Sequence, residues 1–488
     1  MLHRRQFILA AEPHQVYPGW PAVDCGGGMV LSHCPTLPVY RVADADGQVW
    51  HLLGVAAQSR PDRPDPVEAI AASRSGDLEP AYRSWSGRWL LIGERELHMD
   101  AGGTLGVFFT RRDGRLTASS SPALVTPGCS VPAVAAMGSR PLMHEAGLDW
   151  YPPPQSGLAG VRRLLPSQVL MLADGTVRPR RPYVPADRGL GYDGTLARME
   201  SLLVTAVANF ERAAGPLMLQ LTAGYDTRLL LATVLRAGIE VETVTFRYPH
   251  MAASDQQIPP RLAEIAGFRH RLIPFGADDR RRRELFAQHT AGHTVGMDVE
   301  FFARGSWDAV PEGTSVLNGG VFEVARGFYW GRLPPGLDPA DPGSADRIFT
   351  AFRGALHNGP SHRAALAEWL VWVSRVPVEG FDLRDRFYLE QRVAGWLSTL
   401  NQGIDLTGRQ LVQPANCAEF LALALSLPPE LRRASQHQAD LVRRMAPDLL
   451  RLPINPPESR LVGQVRRLPG RLAKLRAAVE HRFQRQPC

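Results

Sequence analysis

The chain has 488 residues, 44% of them hydrophobic, which is enough for more than one hydrophobic core, so we expect two domains. Only 21% of the residues are charged, which argues against a wholly disordered chain, and no run of about 18 apolar residues predicts a membrane-spanning helix. The net charge is +7, and almost all of the basic residues are arginines, since Lys474 is the only lysine. The five cysteines include no C-x-x-C pair, so neither a disulfide framework nor a zinc site is expected. The predicted location is the cytoplasm, and nucleic acid is not an expected partner.

Residues 1–185 contain short β-prone runs punctuated by Gly, Asp and Arg, a pattern typical of antiparallel strands. The clearest runs are 89–93, 96–99, 106–110 and 115–119. We interpret this part as a β-rich first domain that ends in a linker rich in Arg and Pro.

Residues 194–455 alternate apolar runs of strand length with helical patterns. Strands are predicted at 216–222, 241–247, 271–275 and 314–318, and helices at 195–212, 226–237, 259–266, 364–373, 383–397 and 418–427. The alternation predicts an α/β domain whose parallel sheet is covered by helices, followed by a helical C-terminal half.

Residues 456–488 combine arginines with apolar residues at roughly helical spacing, which predicts a basic amphipathic tail. One interpretation is contact with a protein partner or with the inner membrane surface. The other is a helix packed on its own domain with its arginines in solvent. The pattern leaves both open.

The segment Thr222-Ala223-Gly224-Tyr225-Asp226-Thr227 lies where a predicted buried strand ends and a helix begins. A helix N-terminus at the carboxyl end of a parallel strand offers free N–H groups to a phosphate, and Gly224 allows close backbone approach. Asp226 is unexpected beside an anion unless it holds a metal ion. A plain strand–helix turn capped by Thr and Asp is the alternative.

This loop resembles the pyrophosphate-binding loop Ser-Gly-Gly-x-Asp-Ser of the asparagine synthetase family, one of the N-type ATP pyrophosphatases, with Ala223 in place of a glycine. Residues 316–329 resemble the family's loop Ser-Gly-x-Gly-x-Asp-Glu-x-x-Gly-Gly-Tyr, with Val321 in place of a glycine and Glu323 at the magnesium-binding aspartate. The strand end that contains Phe246 is similar to the stretch that holds the adenine. The resemblance covers about residues 80–455.

The resemblance implies an α/β chain with an N-terminal, β-rich domain of the Ntn-hydrolase (glutaminase) type. A parallel-sheet ATP-pyrophosphatase domain with a helical C-terminal half would follow it. The family's glutaminase uses a cysteine exposed after Met removal, but Leu2 follows Met1 here and the nearest cysteine is Cys25. We therefore expect a vestigial glutaminase domain that makes no ammonia from glutamine.

The implied activity is that of an ATP- and Mg²⁺-dependent ligase, which adenylates a substrate carboxylate, releases pyrophosphate and joins the acyl group to an amine. β-Lactam synthetases, lasso-peptide cyclases and polysaccharide-associated proteins are relatives of this kind. The resemblance places the metal at Asp226 and Glu323. It places the nucleotide at Thr222, Ala223, Gly224, Tyr225, Asp226, Thr227, Phe246 and Gly319.

For the chemical step, Glu390 is our candidate base, with Tyr388 nearby, and a structural role is left open for each. The family's catalytic lysine is missing, since His437 and Gln438 stand in that region, and Arg443 is a candidate replacement. The alternative is a catalytically impaired pseudoenzyme that acts as a binding or scaffold protein. An RNA-modifying enzyme is a third, weaker hypothesis. A homodimer is compatible with the sequence.

Overall fold

The computed structural model describes residues 2–14, 17–74, 76–125, 143–145, 148–181, 183–184, 189–249, 251–352 and 360–457. Apart from its first two residues, the predicted basic tail at 456–488 lies outside the described residues. Helices in the described part of the chain are all too short or too polar to cross a bilayer.

The first part of the described chain is built from short strands. In chain order they are β1 (Phe7–Ala10), β2 (Ala22–Asp24), β3 (Val30–His33), β4 (Val39–Ala43), β5 (Val49–Gln58), β6 (Trp85–Ile92), β7 (Glu96–Met99), β8 (Phe108–Arg112), β9 (Arg115–Ser119), β10 (Met143–Glu145), β11 (Leu148–Trp150), β12 (Arg162–Arg163), β13 (Gln168–Met171) and β14 (Val177–Pro179). The helices between them are α1 (Pro66–Ala72), α2 (Leu78–Ala81) and α3 (Pro122–Val125).

Two antiparallel six-stranded sheets share one core. Their strand orders are β12-β8-β9-β1-β3-β2 and β14-β13-β7-β6-β5-β4. Side chains of β6 alternate between two faces, as the two-residue period of a strand requires. Leu90 and Ile92 pack with Phe7 of the other sheet, whereas Trp89 and Leu91 belong to the cluster that includes residues of α1. The two sheets therefore form a layered β-rich unit with a helix on one outer face.

The second part alternates strands with helices. Its strands are β15 (Leu217–Gln220), β16 (Glu242–Arg247), β17 (His270–Pro274), β18 (Thr294–Gly296), β19 (Ser315–Leu317) and β20 (Gln410–Val412). Its helices are α4 (Gly191–Ala214), α5 (Tyr225–Ala237), α6 (Ala253–Ala266), α7 (Arg280–Thr290), α8 (Met297–Ala303), α9 (Gly343–Ala351), α10 (Pro360–Arg375), α11 (Leu383–Phe387), α12 (Ser398–Asp405), α13 (Ala418–Ser426), α14 (Pro429–Arg433) and α15 (Gln436–Met445). A π-helix spans Tyr388–Leu397 and a 3₁₀-helix spans Phe322–Arg326.

Five of these strands form a parallel sheet in the order β17-β16-β15-β19-β20. Leu219 at the centre of β15 is in register with Thr243 on one side and Leu317 on the other. Leu219 is buried, as are the leucines of α4 and α5 that pack in the same cluster. The fold class predicted from the sequence, a β-rich N-terminal part and a parallel α/β part with a helical C-terminal half, is confirmed.

The two parts are joined by buried polar contacts. Arg88 of β6 forms an ion pair with Asp405 of α12 at 2.7 Å, and both side chains are buried. The Asn416 amide donates to the Asp100 carboxylate at 2.8 Å and to the Gly87 carbonyl at 2.6 Å. A small antiparallel sheet, β10-β11-β18, also contains strands from both parts. The predicted boundary between residues 185 and 194 follows β14 and overlaps the first turn of α4, which begins at Gly191, and the division into domains stays a prediction.

Candidate functional site

Strand order places the candidate site at one edge of the parallel sheet. The chain runs from β15 to β16 and β17 on one side, and then returns to place β19 and β20 on the other side. The carboxyl end of β15 is therefore the point where the order reverses, and open α/β sheets bind ligands in the crevice at such a point. The loops after β15 and β19 meet there.

The loop after β15 is held by its own hydroxyl groups. Thr227 Oγ1 accepts a hydrogen bond from the Thr222 N–H at 3.0 Å and lies 3.0 Å from Thr222 Oγ1. Thr222 Oγ1 in turn accepts from the Gly224 N–H at 3.2 Å. The loop thus has a defined shape before any ligand binds.

Helix α5 begins directly after this loop, with Gly224 as its N-cap and no cap from a described side chain. The first N–H groups of a helix have no partner within it and carry the positive end of the helix dipole. One upstream donor is already used, because the Ala223 N–H donates to the Asp255 carboxylate at 2.8 Å. The remaining N–H groups of the first turn suit an anionic group.

The loop after β19 brings a second carboxylate to the first. The 3₁₀-helix Phe322–Arg326 carries Glu323. Gly319 lies against Asp226, and a Cβ atom at Gly319 would come within 2.9 Å of the Asp226 Cβ. Absence of a side chain at position 319 therefore permits the two loops to approach.

Asp226 and Glu323 share one guanidinium nitrogen. Arg326 Nη2 lies 3.1 Å from Asp226 Oδ2 and 3.0 Å from Glu323 Oε1. The other oxygens also face donors. Gln438 Nε2 donates to Asp226 Oδ1 at 2.8 Å, and the Tyr388 hydroxyl shares its hydrogen between the Gly320 carbonyl at 2.6 Å and Glu323 Oε2 at 3.0 Å. We call Asp226, Glu323, Arg326, Tyr388 and Gln438 the carboxylate–arginine cluster.

Burial has a marked effect on two groups of this cluster. The pKa of Asp226 is raised to about 6, mainly because burial penalises its charge, while Arg326 opposes the shift and Glu323 adds to it. Burial likewise raises the pKa of Tyr388 well above the ordinary value, with Glu323 contributing in the same direction. Tyr388 is consequently a neutral hydrogen-bond donor at physiological pH.

The structure does not bring every predicted site residue to the cluster. Glu390 is fully buried and forms its contacts with Trp369 Nε1 at 2.6 Å and Arg386 Nε at 3.2 Å. Arg443 is exposed and pairs with Asp440 at the surface. The ring of Phe246 packs against Trp307 in the core, with ring centroids 4.6 Å apart.

Three contributors were missed by sequence reasoning. Arg326 follows Glu323 by one helical turn, a spacing that signals an ion pair but not its shared partner. Gln438 was noted only as a replacement for lysine. Arg392 lies four residues after Tyr388, with its Nε 3.5 Å from Glu323 Oε2. No sequence signal connects position 438 to position 226.

An open cleft lies at the carboxyl ends of β16 and β17. It measures about 440 Å³ and is lined by Arg247, Tyr248, Met251, Gln256 and Phe275, among others. These residues follow β16 and β17 or lie on α6, which also carries the Asp255 carboxylate that holds the loop. The cleft is thus at the same sheet edge as the cluster.

The residues present do not fit the predicted Mg²⁺ at Asp226 and Glu323. Mg²⁺ binds oxygen ligands at about 2.0–2.1 Å in near-octahedral geometry. The position between the two carboxylates holds Arg326 Nη2, and their remaining oxygens accept from Gln438 and Tyr388. Among the described residues, no group of three or more His, Cys, Asp or Glu side chains is arranged to hold a metal ion.

Cys25 does not supply a nucleophile of the glutaminase kind. Its side chain is buried among the residues between the two antiparallel sheets. Burial raises the pKa of the Cys25 thiol to about 11, so the group is a neutral thiol at physiological pH.

The similarity of this chain to known proteins is distant and is found among solved structures. No protein-family model matches the chain, and no curated protein matches it. Among solved structures, the chain is similar to the glutamine phosphoribosylpyrophosphate amidotransferase from B. subtilis complexed with ADP and GMP. The sequences are 10% identical, the match covers 66% of this chain and 71% of that chain, and the TM-score is 0.22.

Proposed function

We propose that the chain is an ATP-dependent, amide-forming ligase whose nucleotide binds at the carboxyl edge of the parallel sheet. The observation that carries the proposal is the meeting of the two loops at the point where the strand order reverses. There, the uncapped N-terminus of α5 carries Asp226 of the cluster, and the open cleft lies at the same edge of the sheet.

The helix N-terminus at this edge suits a polyphosphate. The first N–H groups of α5 are preorganised donors for the phosphates, and they would stabilise charge that develops on departing pyrophosphate. The cleft beside Tyr248 and Met251 offers both polar and apolar surface for a base and a ribose.

The reaction would have two steps. An oxygen of the substrate carboxylate attacks the α-phosphorus of ATP, and the bond to the β-phosphate oxygen breaks to release pyrophosphate. The amine nitrogen then attacks the acyl carbon, the bond to AMP breaks, and the amine loses a proton. Glu390 is not assigned as the base here because its carboxylate is buried in an ion pair with Arg386.

The amine would come from outside the chain's first part. Cys25 is a buried neutral thiol, and no glutamine-derived ammonia is part of the proposal. The substrate amine is therefore free ammonia, a separate amine, or an amine within the molecule that carries the carboxylate. No magnesium step is included, because the predicted ligands are already bonded to protein donors.

A binding or scaffold protein without catalysis is the second candidate. Glu390 and Arg443, two of the groups predicted for chemistry, have structural partners away from the cluster. Such a protein would have the same fold but would not catalyse a reaction.

Photoaffinity labelling tests the primary proposal. The full chain is irradiated with 8-azido-ATP, and labelled peptides are identified by mass spectrometry. We expect label in the peptide that contains Tyr248 and Gln256, and we expect excess ATP to prevent it. Replacing Thr222 with Glu adds a carboxylate at the N-terminus of α5 and should abolish the labelling. Thr176→Glu, in an exposed turn, is the matched control.

Two results would contradict the proposal. Label that lies elsewhere and resists competition by ATP would remove the assigned nucleotide site. Folded wild-type protein that binds no ATP at millimolar concentration would favour the binding or scaffold protein instead.

A further inference from the structure

We propose that the Arg326 guanidinium is the resident cation of the carboxylate–arginine cluster, so that the site works without a divalent metal ion. Arg326 would supply the positive charge that a metal would otherwise bring to Asp226 and Glu323. The inference goes beyond the proposed ligase function and does not depend on it.

The position of a single atom is the first argument. Arg326 Nη2 lies 3.1 Å from Asp226 Oδ2 and 3.0 Å from Glu323 Oε1, so one nitrogen bridges the two carboxylates. A divalent ion that bound to both oxygens would have to displace this nitrogen. Guanidinium groups suit such a place because they stay charged at all physiological pH values and bind carboxylates with directed N–H bonds.

The remaining carboxylate oxygens are the second argument. Asp226 Oδ1 accepts from Gln438 Nε2 at 2.8 Å, and Glu323 Oε2 accepts from the Tyr388 hydroxyl at 3.0 Å. Arg392 Nε also approaches Glu323 Oε2, at 3.5 Å. Every oxygen of the two carboxylates therefore faces a protein donor, although Glu323 Oε2 shares the Tyr388 hydrogen with the Gly320 carbonyl at 2.6 Å, and a structure built to receive Mg²⁺ would not require these donors.

Charge balance is the third argument. Asp226 and Glu323 contribute two negative charges when ionised, and Arg326 and Arg392 contribute two positive charges. Adding a divalent ion would leave an excess of two positive charges in a partly buried place, where uncompensated charge is costly.

The support behind Arg326 is the fourth argument. Arg432 is buried and donates to the carbonyl groups of Val324 and Ala325 at 2.7 and 3.1 Å. It also forms an ion pair with Asp385 at 2.8 Å, and its guanidinium lies over the ring of Trp330. These bonds fix the backbone of the 3₁₀-helix that ends at Arg326. The position of the bridging guanidinium is therefore set by the packing of the second part.

Manganese binding tests the inference on the full chain without nucleotide. Mn²⁺ takes the same oxygen ligands as Mg²⁺, and its free form is measured by electron paramagnetic resonance. We expect wild-type protein to leave the Mn²⁺ signal unchanged. Arg326→Ala opens the position between the carboxylates and should bind Mn²⁺ at least ~10-fold more tightly than wild type.

Three further variants make the test specific. Arg326→Lys keeps a cation and should not bind Mn²⁺. The double variant Arg326→Ala/Asp226→Asn should lose the binding that Arg326→Ala gains. Arg280→Ala removes an exposed arginine that pairs with Glu284, and it should behave like wild type. If Arg326→Ala does not fold, Arg326→Gln provides a neutral replacement that can still hydrogen-bond.

Opposite results would overturn the inference. Tight Mn²⁺ binding by wild type that Asp226→Asn abolishes would show that the carboxylates hold a metal in spite of Arg326. Folded Arg326→Ala and Arg326→Gln that both fail to bind Mn²⁺ would show that Arg326 does not occupy a cation position. Because no nucleotide is present, failure of the ligase proposal leaves these outcomes unchanged.

Discussion

Asp226 is a carboxylate whose ionisation is opposed by its surroundings. Its side chain is only 17% exposed, and the nearby Glu323 adds a like charge. Arg326 and Gln438 offset part of this cost, yet the pKa is still raised to about 6. A folded state with a raised carboxyl pKa binds its proton more tightly than the unfolded state does.

Replacing Asp226 with Asn should therefore stabilise the protein in a pH-dependent way. Wild type loses stability as the pH rises from about 4, the unfolded pKa of Asp, to about 6, the folded value. Asn has no charge to bury, so the free energy of unfolding of the variant should rise relative to that of wild type between about pH 4 and about pH 6. The difference in unfolding free energy between the two proteins should reach roughly 2–3 kcal/mol and stay constant above that pH range. Urea unfolding at several pH values measures it.

Asp278→Asn is the control, because this substitution should lower the stability of the protein where Asp226→Asn raises it. Asp278 is exposed and its pKa is lowered by Arg283, so its ionised form is favoured in the folded state. A difference between wild type and Asp226→Asn that does not vary with pH would show that Asp226 titrates at its ordinary pKa.

The sequence predicted part of this cluster and missed the rest for a physical reason. Asp226 and Glu323 both follow strands of a parallel sheet, and the carboxyl ends of neighbouring strands meet. The family resemblance paired these two residues, and the sheet geometry explains why they lie together. The identity of the atom between them was not predictable, because it depends on the rotamer of Arg326 and on the return of α15 that brings Gln438 to the loop.

Among the elements, α5 connects the site to the end of the described chain. Arg228 is buried and donates to the carbonyl groups of Leu449, Leu452 and Pro453 at 3.1, 2.6 and 2.8 Å. The Asn455 N–H then donates to the Ala223 carbonyl at 3.3 Å. The segment after α15 thus packs directly on the loop that precedes α5.

Arg228→Met should release this segment. The substitution keeps much of the side-chain volume but leaves three carbonyl groups without their donor, at a cost of at least ~3 kcal/mol. Urea unfolding should show the loss. Hydrogen–deuterium exchange in the peptide that contains Leu452 and Asn455 should become faster.

Arg236→Met is the matched control on the same helix. Arg236 is 59% exposed and pairs with Glu200, so its loss should change stability by less than about 1 kcal/mol. Equal effects of the two variants would mean that the Arg228 bonds to residues 449–453 contribute little.

Element boundaries were predictable where local pattern governs them. The strands predicted at 96–99 and 115–119 coincide with β7 and β9. Helix α6 differs: its predicted start at Pro259 follows the preference of Pro for a first turn, but the helix begins at Ala253 and contains Pro259 and Pro260. The helix predicted at 383–397 becomes α11 and then a π-helix, a change that residue periodicity does not encode.

At the scale of the whole molecule, the contact between the two parts includes a buried ion pair. Arg88 is 3% exposed and Asp405 is 0% exposed, and burial raises the pKa of Asp405 in spite of its partner. Removing one member of such a pair leaves the other as an uncompensated buried charge. Sequence composition predicted two domains but not this contact, because the partners are 317 positions apart.

Arg88→Met should cost about 3–5 kcal/mol, and Asp405→Leu should cost a similar amount. The double variant should recover most of the loss, because it removes both charges and leaves apolar groups. Chemical unfolding of the four proteins gives the coupling energy directly.

The exposed pair Arg280 and Glu284 is the reference. A double-mutant cycle on this pair should give a coupling energy of less than about 1 kcal/mol. Additive losses at Arg88 and Asp405, with no recovery in the double variant, would mean that the two charges are independent.

The buried contacts between the parts make a hinge opening of the whole molecule costly. Swinging the two parts apart about a hinge would separate Asn416 from Asp100 and Arg88 from Asp405, exposing paired polar groups all at once. If the proposed nucleotide binds at the sheet edge, we expect it to enter and leave by small displacements of the loops after β15 and β19, because the candidate site is built from the second part alone. Ligand exchange should then be fast compared with unfolding, and a rigid tether between the parts would leave its rate unchanged.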